Sequence, residues 1–168
     1  AFSFADPADL VSFPICVYVG APYSFNFYSG YVNVGSSKFF YWFAESSRSP
    51  KSDPLLIFLN GGPGCSSVAG SLSENGPFVA INNGSQITNR ETSWNRLANV
   101  LWIESPAGVG MSYAPGMPPN YTYSTDDHQT ARNNLLFLQG WYHKFPQVRN
   151  KKESVWVFFM LLSFSSKI

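Results

Sequence analysis

Two nearly unbroken apolar runs in this chain each lead straight into a glycine-rich turn. Leu55-Leu56-Ile57-Phe58-Leu59 precedes Asn60-Gly61-Gly62-Pro63-Gly64. Ala98-Asn99-Val100-Leu101-Trp102-Ile103 precedes Glu104-Ser105-Pro106-Ala107-Gly108-Val109-Gly110. Short apolar runs of this kind predict strands covered on both faces. Upstream, Tyr31-Val32-Asn33-Val34 and Phe39-Phe40-Tyr41-Trp42-Phe43 are β-prone and are joined by Gly35-Ser36-Ser37-Lys38, which predicts an antiparallel hairpin. Residues 45–54 read as a polar loop, 66–74 as a short helix, the stretch on to Trp94 as polar, and 114–123 as a Pro-rich loop. The clearest helix follows. Ser124 or Thr125 is placed to cap it, with Asp126 and Asp127 in the first turn, where the macrodipole favours anions. Ala131, Leu135, Leu138, Tyr142 and Phe145 recur at three- and four-residue spacing to make its apolar face, and Pro146 is expected to end it. The predicted class is α/β, with a mixed, mainly parallel sheet.

Composition narrows the function classes. Of 168 residues, 45% are hydrophobic and 17% aromatic, a profile opposed to intrinsic disorder. Eleven basic and ten acidic residues leave a net charge of +1, so bulk electrostatics draws the chain neither to nucleic acid nor to an anionic membrane. Two cysteines, Cys16 and Cys65, are too few for a disulfide scaffold; they could pair with each other or with a partner outside the chain. Asn83-Gly84-Ser85 and Asn120-Tyr121-Thr122 match the N-glycosylation pattern and point towards a secretory setting. Residues 1–20 show no basic segment followed by a clean apolar one, so any leader is expected to have been removed. The apolar run 155–164 is short for a membrane span of about 20 residues. No metal or cofactor motif appears.

The chemistry concentrates at Asn60-Gly61-Gly62-Pro63-Gly64-Cys65-Ser66-Ser67. Glycines directly after a buried strand let backbone N–H groups face a ligand, which suits a phosphate or the oxyanion of acyl transfer. Neither G-x-x-x-x-G-K-[ST] nor G-x-G-x-x-G is present, which removes the phosphate motifs. A purely structural tight turn is the alternative.

With the flanking Leu59, this segment resembles the signature of the serine carboxypeptidases. Also similar are Glu74-Asn75-Gly76-Pro77-Phe78, Ser93-Trp94-Asn95, Ala98-Asn99-Val100-Leu101, the run from Glu104 to Gly110 with Ser112-Tyr113, and the early Tyr28-Ser29-Gly30-Tyr31 and Tyr41-Trp42-Phe43. The likeness covers roughly residues 23–152. It implies part of an α/β-hydrolase fold, its N-terminal strands and first helices, and an activity that releases C-terminal residues from peptides. It further implies a peptide C-terminus as substrate, no cofactor, and a lysosomal, vacuolar or extracellular location. By resemblance, Gly62 supplies an oxyanion-hole N–H, and Asn60, Gly61 and Glu74 hold the substrate carboxylate. A carboxyl can bond a carboxylate only when one is protonated, so acid pH would favour that complex. Cys65 would pair with a distant downstream cysteine.

The family also needs a nucleophilic Ser on a strand-to-helix elbow, a His base and an orienting Asp. The elbow should follow Phe145-Pro146. Instead residues 153–168 form a divergent apolar tail, expected from an alternative transcript, a retained intron or a gene-model error. Its Ser163, Ser165 and Ser166 lack flanking glycines. Val155–Phe159 reads as a strand where the family's pre-elbow strand lies. Gly110-Met111-Ser112-Tyr113-Ala114 mimics an elbow, but Ser112 matches a structural loop serine of the family. His128 and His143 read as solvated or capping residues on the helix. The expectation is therefore 1–152 as the N-terminal part of a carboxypeptidase-like domain, without a triad and inactive alone. The alternatives are a non-catalytic module binding peptide termini or a subunit (a second copy or a full-length homologue) and a non-functional fragment prone to aggregate.

Overall fold

A computed structural model describes residues 7–12, 19–20, 22–118, 121–149 and 155–159; for Pro7, Arg149 and 155–159 only the backbone is described. Cys16, Asn120, Ser163, Ser165 and Ser166 lie outside the described residues.

The predicted hairpin is present as β1 (Phe27–Val34) and β2 (Ser37–Ala44), turning on Gly35 and Ser36 alone. The first buried run is β3 (Leu55–Leu59). A short α1 (Ser67–Gly70) and a π-helical turn (Ser71–Asn75) follow, in place of one continuous helix over 66–74. The second buried run, β6 (Asn99–Ile103), is preceded by a feature that the polar character of 75–94 conceals. This is a separate two-stranded sheet of β4 (Phe78–Ile81) and β5 (Gln86–Asn89). Each of these strands is four residues long, too short for alternation to stand out locally.

The main sheet runs β1-β2-β6-β3-β7, where β7 is Val155–Phe159. β2 is antiparallel to both β1 and β6, whereas β6, β3 and β7 are parallel. Strand alternation sends neighbouring residues to opposite faces. Phe43, Ile57 and Leu101 join one buried cluster with Phe137, Trp141 and Phe145 of the long helix. Ala44, Phe58 and Trp102 join the other, which includes Phe78 of β4.

That helix, α2, spans Asp127–Lys144 and corrects two expectations. Its cap is Asp126, whose carboxylate accepts from the Gln129 N–H at 2.7 Å, rather than Ser124 or Thr125. Its buried stripe runs through Phe137 and Trp141 on to Phe145, with Leu138 and Tyr142 half-covered at its margin. Ala131 and Leu135 face solvent. The aromatic rings of the sheet select the stripe, because Trp141 stacks on Phe145 and meets Phe43 edge-on. α2 ends before Pro146, which then begins a further turn, α3 (Pro146–Arg149), a position where its missing N–H costs nothing.

Candidate functional site

The turns after β3 and β6 lie side by side because their strands are parallel neighbours. Both carry a cis X-Pro bond, Gly62-Pro63 and Ser105-Pro106. In the first turn Gly62 has φ +126°, a region that L side chains rarely adopt, and a Cβ there would come within 2.9 Å of Cys65 Sγ. Gly62, Pro63, Gly64 and Cys65 are exposed. The Gly62 N–H has no hydrogen-bond acceptor among the described residues, while the Cys65 N–H donates to Gly61 O at 3.1 Å. Cys65 carries a free, exposed thiol among the described residues.

Asn60 stitches the turn together. Its backbone N–H donates to Ser67 Oγ at 3.0 Å, and its side-chain Nδ2 donates to Ser66 O at 2.9 Å. Its Oδ1 accepts from the Gly61 N–H at 2.9 Å, so in this conformation the Gly61 donor is occupied. Nδ2 retains a second N–H. Glu74 sits exposed in the π-helical turn, and no hydrogen bond ties its carboxylate to Asn60. The structure thus gathers Asn60, Gly61, Gly62 and Cys65 into one turn and leaves Glu74 on the adjoining one. Asn83 lies elsewhere, at the tip between β4 and β5.

Glu104, quoted in the sequence motif without a role, carries the support. It is fully buried directly after β6. Its Oε1 accepts from Ser66 Oγ at 2.6 Å and from the Val68 N–H at 3.1 Å, while Ser66 Oγ also accepts from the Ala69 N–H and so caps α1. Two otherwise orphaned N–H groups at the start of α1 are thereby satisfied. Oε2 has no partner among the described residues. Gly110, with φ +50°, passes so close that any Cβ would overlap the carboxylate. The signal that could have revealed Glu104 was an acidic residue ending an otherwise apolar strand.

Ser112 is a pin rather than a nucleophile. It is 2% exposed; its Oγ donates to Glu104 O at 2.6 Å and accepts from the Phe40 N–H at 2.8 Å. Both hydroxyl functions are used inside the protein. His128 and His143 are exposed on α2, as the reading of solvated residues requires. Ser105 Oγ donates to Asn134 Oδ1 at 2.6 Å, tying the second turn to α2. Among the described residues no cluster could hold a metal ion.

Across residues 18–157 the chain matches the sequence profile of the serine carboxypeptidases. It is 45% identical over 130 residues to the lysosomal protective protein of Mus musculus, covering 77% of this chain and 27% of that protein. Serine carboxypeptidase-like 27 of Arabidopsis thaliana is 45% identical over 141 residues, covering 79% and 30%. Among solved structures, Kex1(delta)p, a prohormone-processing carboxypeptidase from Saccharomyces cerevisiae, superposes with a TM-score of 0.80 at 24% identity, covering 92% of this chain and 36% of that one. That likeness bears on fold, and the mixed sheet is part of an α/β-hydrolase fold. The chain spans less than a third of the length of these two curated relatives.

Proposed function

This chain belongs to the serine carboxypeptidase family, and we propose that it contributes the anion-binding half of a site for peptide C-termini. The observation that carries this reading is the exposed Gly62 N–H, without an acceptor among the described residues, in a turn braced from behind by buried Glu104. A tetrahedral intermediate of acyl transfer places negative charge on the former carbonyl oxygen. A fixed N–H aimed there stabilises it without reorganising, an effect worth roughly 3–4 kcal/mol per donor. Gly62 fills that role. The substrate's terminal carboxylate takes the spare Nδ2 N–H of Asn60, with the Gly61 N–H joining when the Asn60 side chain releases it. A proton shared between Glu74 and the same carboxylate completes the contact.

Ser112, in the segment that mimics an elbow, is buried and spent on Glu104 and Phe40, and Ser163, Ser165 and Ser166 lack flanking glycines. The 168-residue polypeptide therefore binds peptide termini without cleaving them. Its working environment is the secretory pathway, with a lysosome, vacuole or extracellular space as destination; the kinship with a lysosomal protective protein supports this. No described helix is long and apolar enough to cross a membrane.

The test is to titrate the polypeptide with an N-blocked dipeptide, as free acid and as C-terminal amide, at pH 5 and pH 7. We expect the acid to bind at least tenfold more tightly than the amide at pH 5, the preference to shrink at pH 7, and no amino acid to be released. Equal affinity for acid and amide would refute the carboxylate site. Release of the C-terminal residue, abolished by Gly62→Pro, would refute the inactivity.

A further inference from the structure

The hairpin of β4 and β5 is anchored at one end and bare at the other. At its base Phe78 is 1% exposed and packs edge-on against Tyr23 and Phe27, and the Arg90 N–H donates to Pro77 O at 2.8 Å. At its tip, beyond the last pair Ile81↔Gln86, residues 82–85 are all exposed. With a rise of about 3.3 Å per residue, the four-residue strands carry the tip roughly 10 Å from the buried base. Asn83 sits at this tip with φ 56° and ψ 34°. Its side-chain amide makes no hydrogen bond to any described group, whereas Asn82 bonds to Gln86 and Ser85 Oγ donates to Asn82 O. By contrast Asn60, Asn75, Asn95 and Asn99 all hold structure together.

Asn83 is also the first residue of Asn83-Gly84-Ser85, followed by Gln86. We infer that Asn83 carries an N-linked glycan. The inference rests on the secretory reading given above. The donor is a lipid-linked oligosaccharide diphosphate. Asn83 Nδ2 forms a C–N bond to the anomeric carbon, the bond from that carbon to the diphosphate oxygen breaks, the lipid diphosphate leaves, and one amide proton passes to a base. Transfer requires an unhindered amide in an accessible segment, and the folded protein must then leave room for a bulky group. The tip meets both conditions. An isolated two-stranded hairpin is marginal in water, and a hydrophilic group at its end keeps it solvated.

The experiment expresses the full chain behind a cleavable secretion leader in a eukaryotic host, with a reporter sequon in an N-terminal tag. Secreted protein is treated with peptide N-glycosidase in ¹⁸O water, and each former glycan site is read by mass spectrometry as an ¹⁸O-labelled aspartate. We expect the label at Asn83 in most molecules, lost in Asn83→Gln and Ser85→Ala and kept in Ser85→Thr. A labelled reporter beside an unlabelled Asn83 would overturn the inference while sparing the secretory reading. A chain that is made but stays inside the cell despite the leader, unlabelled at both, would overturn the two together.

Discussion

Asp53 shows how one buried carboxylate shapes a whole loop. Its oxygens accept from Ser46 Oγ at 2.5 Å, from the Ser49 N–H at 3.2 Å and from Arg48, through Nε at 3.2 Å and through Nη2. The Arg48 hydrogen bond, assisted by those from Ser46 and Ser49, holds the Asp53 carboxyl below the usual carboxylate range against the opposing effect of burial. A lowered folded-state pKa means stability that is present above the unfolded value of about 3.9 and lost as pH falls through the folded one. Asp53→Ala should therefore cost about 1–3 kcal/mol at neutral pH, chiefly by orphaning the Ser46 and Ser49 donors. Denaturant melts from pH 7 down to pH 2 should show the gap to the parent narrowing below about pH 4. A gap independent of pH would contradict the ion-pair account. The residues of 45–54 were legible only as a polar loop, since nothing local announces that Asp53 turns inward.

At the scale of elements, α2 offers the sharpest comparison. Its spacing pointed to Ala131 and Leu135 as core residues, yet Leu135 is 57% exposed and Trp141 is fully buried. A helix carrying Leu135, Leu136, Phe137 and Leu138 in succession presents apolar groups on more than one face. Periodicity alone cannot rank those faces; contact with Tyr41, Phe43 and Tyr28 of the sheet does so. Trp141→Ala should destabilise the chain by about 3–5 kcal/mol, and Leu135→Ala by no more than about 0.5 kcal/mol. Chemical denaturation of the two variants checks this, and equal losses would return the core to the face expected from spacing. The strands were easier to read than the helix, since β3 and β6 are almost uniformly apolar and their order in the chain leaves few partners.

For the molecule as a whole, the sheet is asymmetric. One side closes with the β1–β2 hairpin, whereas β7 lies at the other margin, and no described strand pairs with its outer edge. An open strand edge is a template for another chain. We expect the 168-residue polypeptide to self-associate with rising concentration in sedimentation velocity. A monodisperse monomer with a cooperative thermal transition would argue that the edge is harmless.

The sequence by itself determined where the glycine-rich turns stand. Glycines after a buried strand are a local requirement of backbone geometry, and the ordered motifs from Tyr28 to Ser112 place the chain among its relatives without coordinates. Only the tertiary structure decided which groups remain available. The Gly61 amide is taken by Asn60, the Gly62 amide is left open by the described residues, Ser112 is spent on Phe40 and Glu104, and a buried Glu104 stands behind α1. The Val68–Glu104 and Phe40–Ser112 bonds join residues 36 and 72 positions apart, and the first exists only once β6 has docked beside β3. Local pattern records what a residue can do, and packing determines what it is left free to do.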